Sequence, residues 1–250
     1  MISILLAAGS GTRLGELTKN TPKSFIKING ISLIERQIQL LRKFNIHDIV
    51  VVTGPNQDKF NLENITLIND KEHLTHDQLG SLMAAKSFFN NELMIFYTDI
   101  IFDEQILSDM VMSKGEITIA IDMDWQKSYD ERLDNPILDA GRVLVSNNKV
   151  KQLSENIPIE ENSKNLGEFL GIVKLSKNIS SIFLQRFSYL LSNHNGNFHD
   201  ADSFKMAKLM DMLQDLLDVG VEITPVVVKD NWCEIDTEMD LLRAKKIFSC

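Results

Sequence analysis

The chain has 250 residues, 44% of them hydrophobic and 24% charged, with a formal net charge of −9. This length suits one large α/β domain or two small ones, and the composition excludes disordered, collagen-like and low-complexity classes. An acidic chain lacks the clustered Lys and Arg that nucleic-acid phosphates demand, whereas a small phosphate-bearing ligand needs only a few local cations.

Cys233 and Cys250 are too few for a disulfide framework, and neither belongs to a metal-type cluster. The first apolar run, Ile4 to Ala8, is too short for a signal-peptide core, and no run approaches the ~18 apolar residues of a membrane helix. The expected compartment is a reducing cytoplasm, with no nucleic acid and no membrane as partner.

In chain order, Ser3–Ala7 reads as a buried strand ending at a glycine loop. Ser32–Lys43 reads as a helix, because Ser32 and Glu35 have capping-box spacing and Leu33, Ile34, Ile38 and Leu41 recur at helical period. The β-branched run Ile49–Thr53 reads as a strand covered on both faces, and Ile65–Ile68 as a shorter one. A helix over Leu79–Phe89, a strand over Leu93–Tyr97, a helix over Glu104–Met112 and a strand over Glu116–Ile121 follow. Arg142–Val145 and Val150–Leu153 flank Ser146-Asn147-Asn148 as a hairpin. Phe169–Leu175 is a strand, Ile179–Leu191 and Ser203–Val219 are helices, Ile223–Val228 is a strand, and a helix over Thr237–Phe248 closes the chain, with Thr237 and Asp240 again at capping-box spacing.

Strand–helix alternation predicts a mostly parallel sheet with helices on both faces, and the hairpin predicts an antiparallel extension. Ligands on such sheets bind at the carboxyl ends of the strands. The first loop, Asp99 and the segment Trp232–Asp236 are therefore expected to converge on one cleft.

The first loop reads LAAGSGTRL, Leu6 to Leu14. Gly9 and Gly11, with Ser10 and Thr12, leave N–H groups exposed for a polyphosphate. Leu14 occupies the third position of the dinucleotide fingerprint, and no Gly-Lys-Ser/Thr follows, so neither that motif nor a P-loop is present. Arg13 and then Lys23, in Thr21-Pro22-Lys23, bracket the loop with two cations.

This pattern resembles the signature of the nucleotidylyltransferases that activate sugar phosphates, phosphocholine and phosphonates. The resemblance implies an α/β, Rossmann-like three-layer αβα sandwich with a mixed, mostly parallel central sheet and a small antiparallel extension, a GT-A-like fold. It implies one domain over 1–250, with a nucleotide-binding half over 1–121 and an acceptor-binding half with the C-terminal helix over 122–250. By matching position, Leu6, Ala7, Ala8, Gly9, Ser10, Gly11 and Thr12 would hold the nucleotide, Arg13 the β- and γ-phosphates, and Lys23 the charge at the reacting phosphorus. Asp99 and Asp236 would be the Mg²⁺ ligands, with Glu234 in reserve. Magnesium suits one or two carboxylates combined with substrate phosphates.

The segments Asp124 to Val143, Gly167 to Ser176, Asp211 to Ile223 and Asn231 to Leu241 resemble the phosphonate, phosphocholine and phosphoglutamine cytidylyltransferase branch, which uses CTP. Gln78, Gly80 and Ser81 are then candidate base or ribose contacts. Trp125, Tyr129 and Arg132 fall on one face if that segment is helical; the two aromatics with Trp232 could cradle an ammonium group by cation–π attraction, and Arg132 could receive an anion. Glu168, and Asp202 in His199-Asp200-Ala201-Asp202, are candidate acceptor contacts, with capping of a Ser203 helix as the other role for the two aspartates. His73 and His76 read as solvated loop residues.

The expected reaction joins a CTP-derived nucleotidyl group to a small phosphorylated or phosphonate acceptor, and a homodimer is kept open as its assembly. Within the class, a sugar-1-phosphate nucleotidylyltransferase using UTP or dTTP is the other reading. Outside it stand a nicotinamide-dependent oxidoreductase, which lacks its third loop glycine here, and a non-catalytic nucleotide-binding protein.

Overall fold

The computed structural model describes residues 1–9, 12–19, 21–129, 137–159 and 164–248. Arg132 of the acceptor candidates, and Ser10 and Gly11 of the glycine loop, lie outside them. The first half contains β1 (Ile2–Ala7), β2 (Lys27–Ile28), β3 (Ile31–Ser32), α1 (Leu33–Lys43), β4 (Ile49–Thr53), β5 (Thr66–Asn69), α2 (Gln78–Ala84), β6 (Leu93–Tyr97), β7 (Ile100–Phe102), α3 (Glu104–Met112) and β8 (Ile117–Asp122). The second contains β9 (Arg142–Ser146), β10 (Lys149–Ser154), β11 (Leu166–Leu175), α4 (Lys177–Asn193), α5 (Leu209–Asp218), β12 (Ile223–Val228), β13 (Trp232–Glu234) and α6 (Glu238–Ile247).

Among the described residues the central sheet has nine strands, ordered β10-β9-β11-β6-β1-β4-β5, with β8 and β12 joined through β11. β1 pairs parallel with β4 and β6, and β4 with β5. β11 runs antiparallel to β6, β8 and β9, so a strand of the second half stitches the first half together. The side-chain period of two sends alternate residues to opposite faces. Ile4, Val50 and Val52 pack on one face with α2, α4 and α5. Leu5 and Val51 pack on the other with α1 and α3. This is the expected three-layer αβα arrangement.

Local signals explain several elements. Ser32 and Glu35 form a capping box at α1, and Thr237 and Asp240 form one at α6, each satisfying otherwise orphaned N–H groups. Asn147 and Asn148, with φ of 52° and 56°, turn the β9–β10 hairpin. Asn tolerates this left-handed geometry, which matches the twist of paired strands. β11 bends where its register with β8 shifts between Phe169 and Val173. Gly171 sits in that bend at φ 73°, and a Cβ there would fall 2.3 Å from Cδ2 of Tyr97.

Three expectations need correction. The helix read over Leu79–Phe89 starts at Gln78, where Asp77 caps it, and ends at Ala84, with a 3₁₀ turn following at Lys86–Phe88. The helix read from Ser203 begins only at Leu209, after a 3₁₀ turn at Phe204–Met206, so neither Asp200 nor Asp202 caps it. Trp125–Ser128 is a 3₁₀ turn, and its residues do not share an α-helical face.

Candidate active site

β1 delivers the chain to Ala8 and Gly9, and a Cβ built on Gly9 would meet nothing within 4 Å. Thr12 then opens a 3₁₀ turn. β6 ends at Tyr97 and β7 begins at Ile100, so Asp99 sits in the corner between them. The Gln37 side-chain amide fixes that corner by donating to the carbonyls of Tyr97 and Ile100, both at 2.9 Å. Thr98 Oγ1 ties it to β1 by donating to the Leu6 carbonyl at 2.8 Å.

β13 lies antiparallel to β7, with Glu234 opposite Ile100, and the Ile235 N–H donates to the Asp99 carbonyl at 2.9 Å. The capping-box carboxylate of Asp240 accepts from the Asp236 N–H at 3.1 Å. Two acids far apart in sequence are thereby anchored to one short ribbon.

Asp99, Glu234 and Asp236 bring carboxylate oxygens within 4.8 Å of one another. Lys23 Nζ donates to Asp99 Oδ2 at 2.8 Å and to Asp236 Oδ1 at 2.5 Å. Arg13 Nη1 donates to Asp236 Oδ2 at 2.7 Å. Burial works to lower the Lys23 pKa, but Asp99, Asp236 and Glu234 outweigh it and hold the ammonium above its ordinary 10.5. Burial, then the charges of Asp236 and Asp99, push Glu234 from 4.5 up to about 8. Oδ1 of Asp99 is buried without a hydrogen-bond partner. An all-oxygen cluster holding such an atom fits a hard divalent ion such as Mg²⁺.

Two cavities meet here. One, of about 230 Å³, is lined by Leu6, Ala8, Gly9, His73, His76, Asp77 and Ser81. The other, of about 210 Å³, is lined by Arg13, Glu234, Asp236, Trp232, Tyr129, Glu168, Glu155 and Lys208. Gln78, Tyr97 and Asp99 line both. Tyr97 Oη donates to Gln78 Oε1 at 2.5 Å. Its pKa is raised by burial and then by Asp99 and Asp77, which keeps the phenol protonated as a donor.

The structure thus brings Leu6, Ala8, Gly9, Arg13, Lys23, Gln78, Ser81, Asp99, Glu234 and Asp236 to one edge of the sheet. Ala7 packs in the core instead. Gly80 serves packing: a Cβ there would come within 2.2 Å of the His76 ring. His76 is not a solvated loop residue, because its side chain is 10% exposed and Nε2 lies 3.2 Å from Asp70 Oδ1. The same Asp70 accepts from Ser81 Oγ at 2.7 Å.

Of the acceptor candidates, Tyr129 and Glu168 line the second cavity, and the Tyr129 hydroxyl donates to Glu168 Oε1 at 2.5 Å. Trp232 lines it too, with Nε1 donating to Asp122 Oδ2 at 2.9 Å. Burial raises the Asp122 pKa, while the Trp232 N–H opposes the rise. Trp125 must be removed from the ammonium cradle: it is 1% exposed among core residues, and its Nε1 donates to the Leu166 carbonyl at 3.0 Å. Asp202 is exposed and lines neither cavity.

Sequence reasoning missed Tyr97, Glu155 and Lys208. Tyr97 carried a usable signal, because it ends the strand just before Asp99 at the carboxyl edge of a parallel sheet. Glu155 and Lys208 carried none, since only the folded chain brings their elements together.

Two cations, Arg13 and Lys23, and three carboxylates thus stand at the junction of two cavities on one sheet edge. Residues 3–125 match the model of the MobA-like NTP transferase domain. The chain is 27% identical to the CTP:phosphoglutamine cytidylyltransferase of Campylobacter jejuni, over 96% of this chain and 98% of that relative. It is 30% identical to the choline-phosphate cytidylyltransferase of Streptococcus pneumoniae, over 58% of this chain and 67% of that relative. The solved structure of the CTP:phosphocholine cytidylyltransferase from Streptococcus pneumoniae shares the fold, with a TM-score of 0.76, 99% coverage of both chains and 21% identity. The chain belongs to the nucleotidyltransferase family with the MobA-like NTP transferase domain, in its cytidylyltransferase-type branch. Among the described residues, no helix is long and apolar enough to cross a membrane.

Proposed function

We propose that this enzyme is a Mg²⁺-dependent cytidylyltransferase that transfers the CMP group of CTP to a small phosphorylated or phosphonate acceptor of the phosphocholine, 2-aminoethylphosphonate or phosphoglutamine type. The observation that carries this reading is the Lys23 bridge between Asp99 and Asp236 at the junction of two cavities. The cavity beside Ala8 and Gly9 takes the nucleotide, and the cavity beside Tyr129 and Glu168 takes the acceptor.

An acceptor oxygen attacks the α-phosphorus in line. The new P–O bond forms as the bond to the β-phosphate oxygen breaks, and pyrophosphate leaves. No protein nucleophile is required, so catalysis is positioning and charge neutralisation. Two like charges ~4 Å apart repel by about 4 kcal/mol at an effective dielectric near 20. Arg13 and Lys23 offset that repulsion at the phosphates. Asp99 and Asp236, with Glu234 beside them, would hold the metal, which would supply further neutralisation of the triphosphate.

The test is pyrophosphate release with CTP, UTP, dTTP, ATP and GTP against phosphocholine, 2-aminoethylphosphonate, phosphoglutamine and hexose 1-phosphates. Turnover with CTP and a non-sugar acceptor supports the reading. Turnover only with UTP or dTTP and a sugar phosphate replaces it with the sugar-1-phosphate one.

A further inference from the structure

The acceptor cavity has a charged wall that neutralisation of the triphosphate does not use. Glu155 follows β10 and Lys208 precedes α5, both line the cavity, and Lys208 Nζ donates to Glu155 Oε1 at 2.5 Å. The two side chains are 37% and 26% exposed for Lys208 and Glu155. An ion pair so open to water contributes little stability by itself.

Both residues are nevertheless held from behind. The Glu155 N–H donates to Asp200 Oδ2 at 2.6 Å, and the Lys208 N–H donates to Asp211 Oδ2 at 2.7 Å. The Asp200 N–H closes the chain by donating to Asp211 Oδ1 at 3.1 Å. Asp211 is 3% exposed. Two acids behind the wall therefore fix the backbones of the two charges on it. Backbones anchored in advance spare a ligand part of the cost of ordering the side chains they carry.

We propose that Lys208 and Glu155 are specificity-determining residues for an acceptor whose far end is zwitterionic. A carboxylate of the acceptor meets Lys208, and an ammonium group on the same carbon meets Glu155, as in the head of an amino acid. This rests on the acceptor reading of the cavity. Asp139 and Glu168 line the same space and add negative potential for the ammonium group. Of the two cations lining this cavity among the described residues, Arg13 serves the triphosphate in the proposed reaction, which leaves Lys208 for a carboxylate of the acceptor. A head carrying only a cation would lie beside the Lys208 ammonium with no negative group of its own to offset that repulsion.

The experiment is steady-state cytidylyl transfer by the full chain with phosphoglutamine, the same compound lacking its α-carboxylate, and phosphocholine. Wild-type kcat/KM for phosphoglutamine should exceed the other two by about tenfold, the lower end of the coupling measured for close charge pairs across an interface. Lys208→Met should shrink that preference mainly through the acceptor KM, and Lys208→Glu should turn it toward phosphocholine. Glu155→Gln gives an independent loss at the ammonium side, and a thermal melt of each variant identifies any that fails to fold. Calorimetric binding of phosphoglutamine to wild type and to Lys208→Met reads the wall without turnover. If no acceptor supports CTP turnover, the cytidylyl reading fails, and the binding ratio alone decides this proposal. Equal binding by the two proteins, or a wild type that uses phosphocholine as well as phosphoglutamine, overturns it.

Discussion

Replacing Lys23 by Met should move metal affinity and turnover in opposite directions. The ammonium lies 2.8 Å from Asp99 and 2.5 Å from Asp236, inside the carboxylate cluster proposed to hold Mg²⁺. Each contact is worth about 6 kcal/mol of attraction at an effective dielectric near 20, before the opposing cost of desolvation. Close charge pairs retain a coupling of about 1.5 kcal/mol or more in mutational cycles, which corresponds to about tenfold in an equilibrium constant. Met preserves the stem but removes the cation that competes with the metal. Mg²⁺ should therefore bind the nucleotide-free variant about tenfold more tightly by calorimetric titration. The kcat for CTP should fall about 10²–10³-fold, the loss typical of a group that neutralises transition-state charge. Weaker Mg²⁺ binding together with a wild-type rate would refute this reasoning.

Glu234 supplies a pH dependence. Burial raises its folded pKa from 4.5 to about 8, so its favourable contribution is complete below 4.5 and is lost as pH rises through 8. Thermal melts of the metal-free protein should show stability falling from pH 5 to pH 9, and Glu234→Gln should flatten that fall. Gly171→Ala places a methyl group 2.3 Å from the Tyr97 ring at a φ of 73°. Strain and overpacking together should cost about 3 kcal/mol, a drop of roughly 6–12 °C in Tm. Thr237→Ala removes the N-cap of α6, and a loss of about 1 kcal/mol in urea unfolding should accompany reduced kcat/KM, because the same box steadies Asp236.

Those sites differ in how far the sequence exposed them. The capping boxes at Ser32 and Thr237 were legible because their bonds are local, three residues apart. The Asn147-Asn148 turn and the run Ile49–Thr53 were legible for the same reason: turn chemistry and β-branching act on the chain where they occur. The meeting of the first loop, Asp99 and the Trp232–Asp236 segment could be anticipated because ligands gather at the carboxyl ends of parallel strands, and the resemblance of the glycine-loop pattern then singled out Arg13, Lys23, Asp99 and Asp236.

The ribbon of β7 and β13 was not legible. Its strands are three residues each, too short for periodicity, and they pair across the length of the chain. The aromatic signal at Trp125 misled because a large ring reads the same in a core as in a ligand cradle, and only the Leu166 carbonyl shows which it is. Asp200 looked like a ligand or a helix cap, yet it accepts hydrogen bonds from Ser154, Glu155 and Asn156 on a different element. The charged wall of Glu155 and Lys208 exists only through tertiary approach.

The most direct measurement is a crystal structure of the enzyme with Mg²⁺ and a non-hydrolysable CTP analogue. The triphosphate should lie along Ala8 and Gly9, contacted by Arg13 and Lys23, with the ion between Asp99 and Asp236 and the cytosine in the cavity beside Ser81. A nucleotide seated elsewhere, or a metal that avoids both aspartates, would contradict the proposed chemistry.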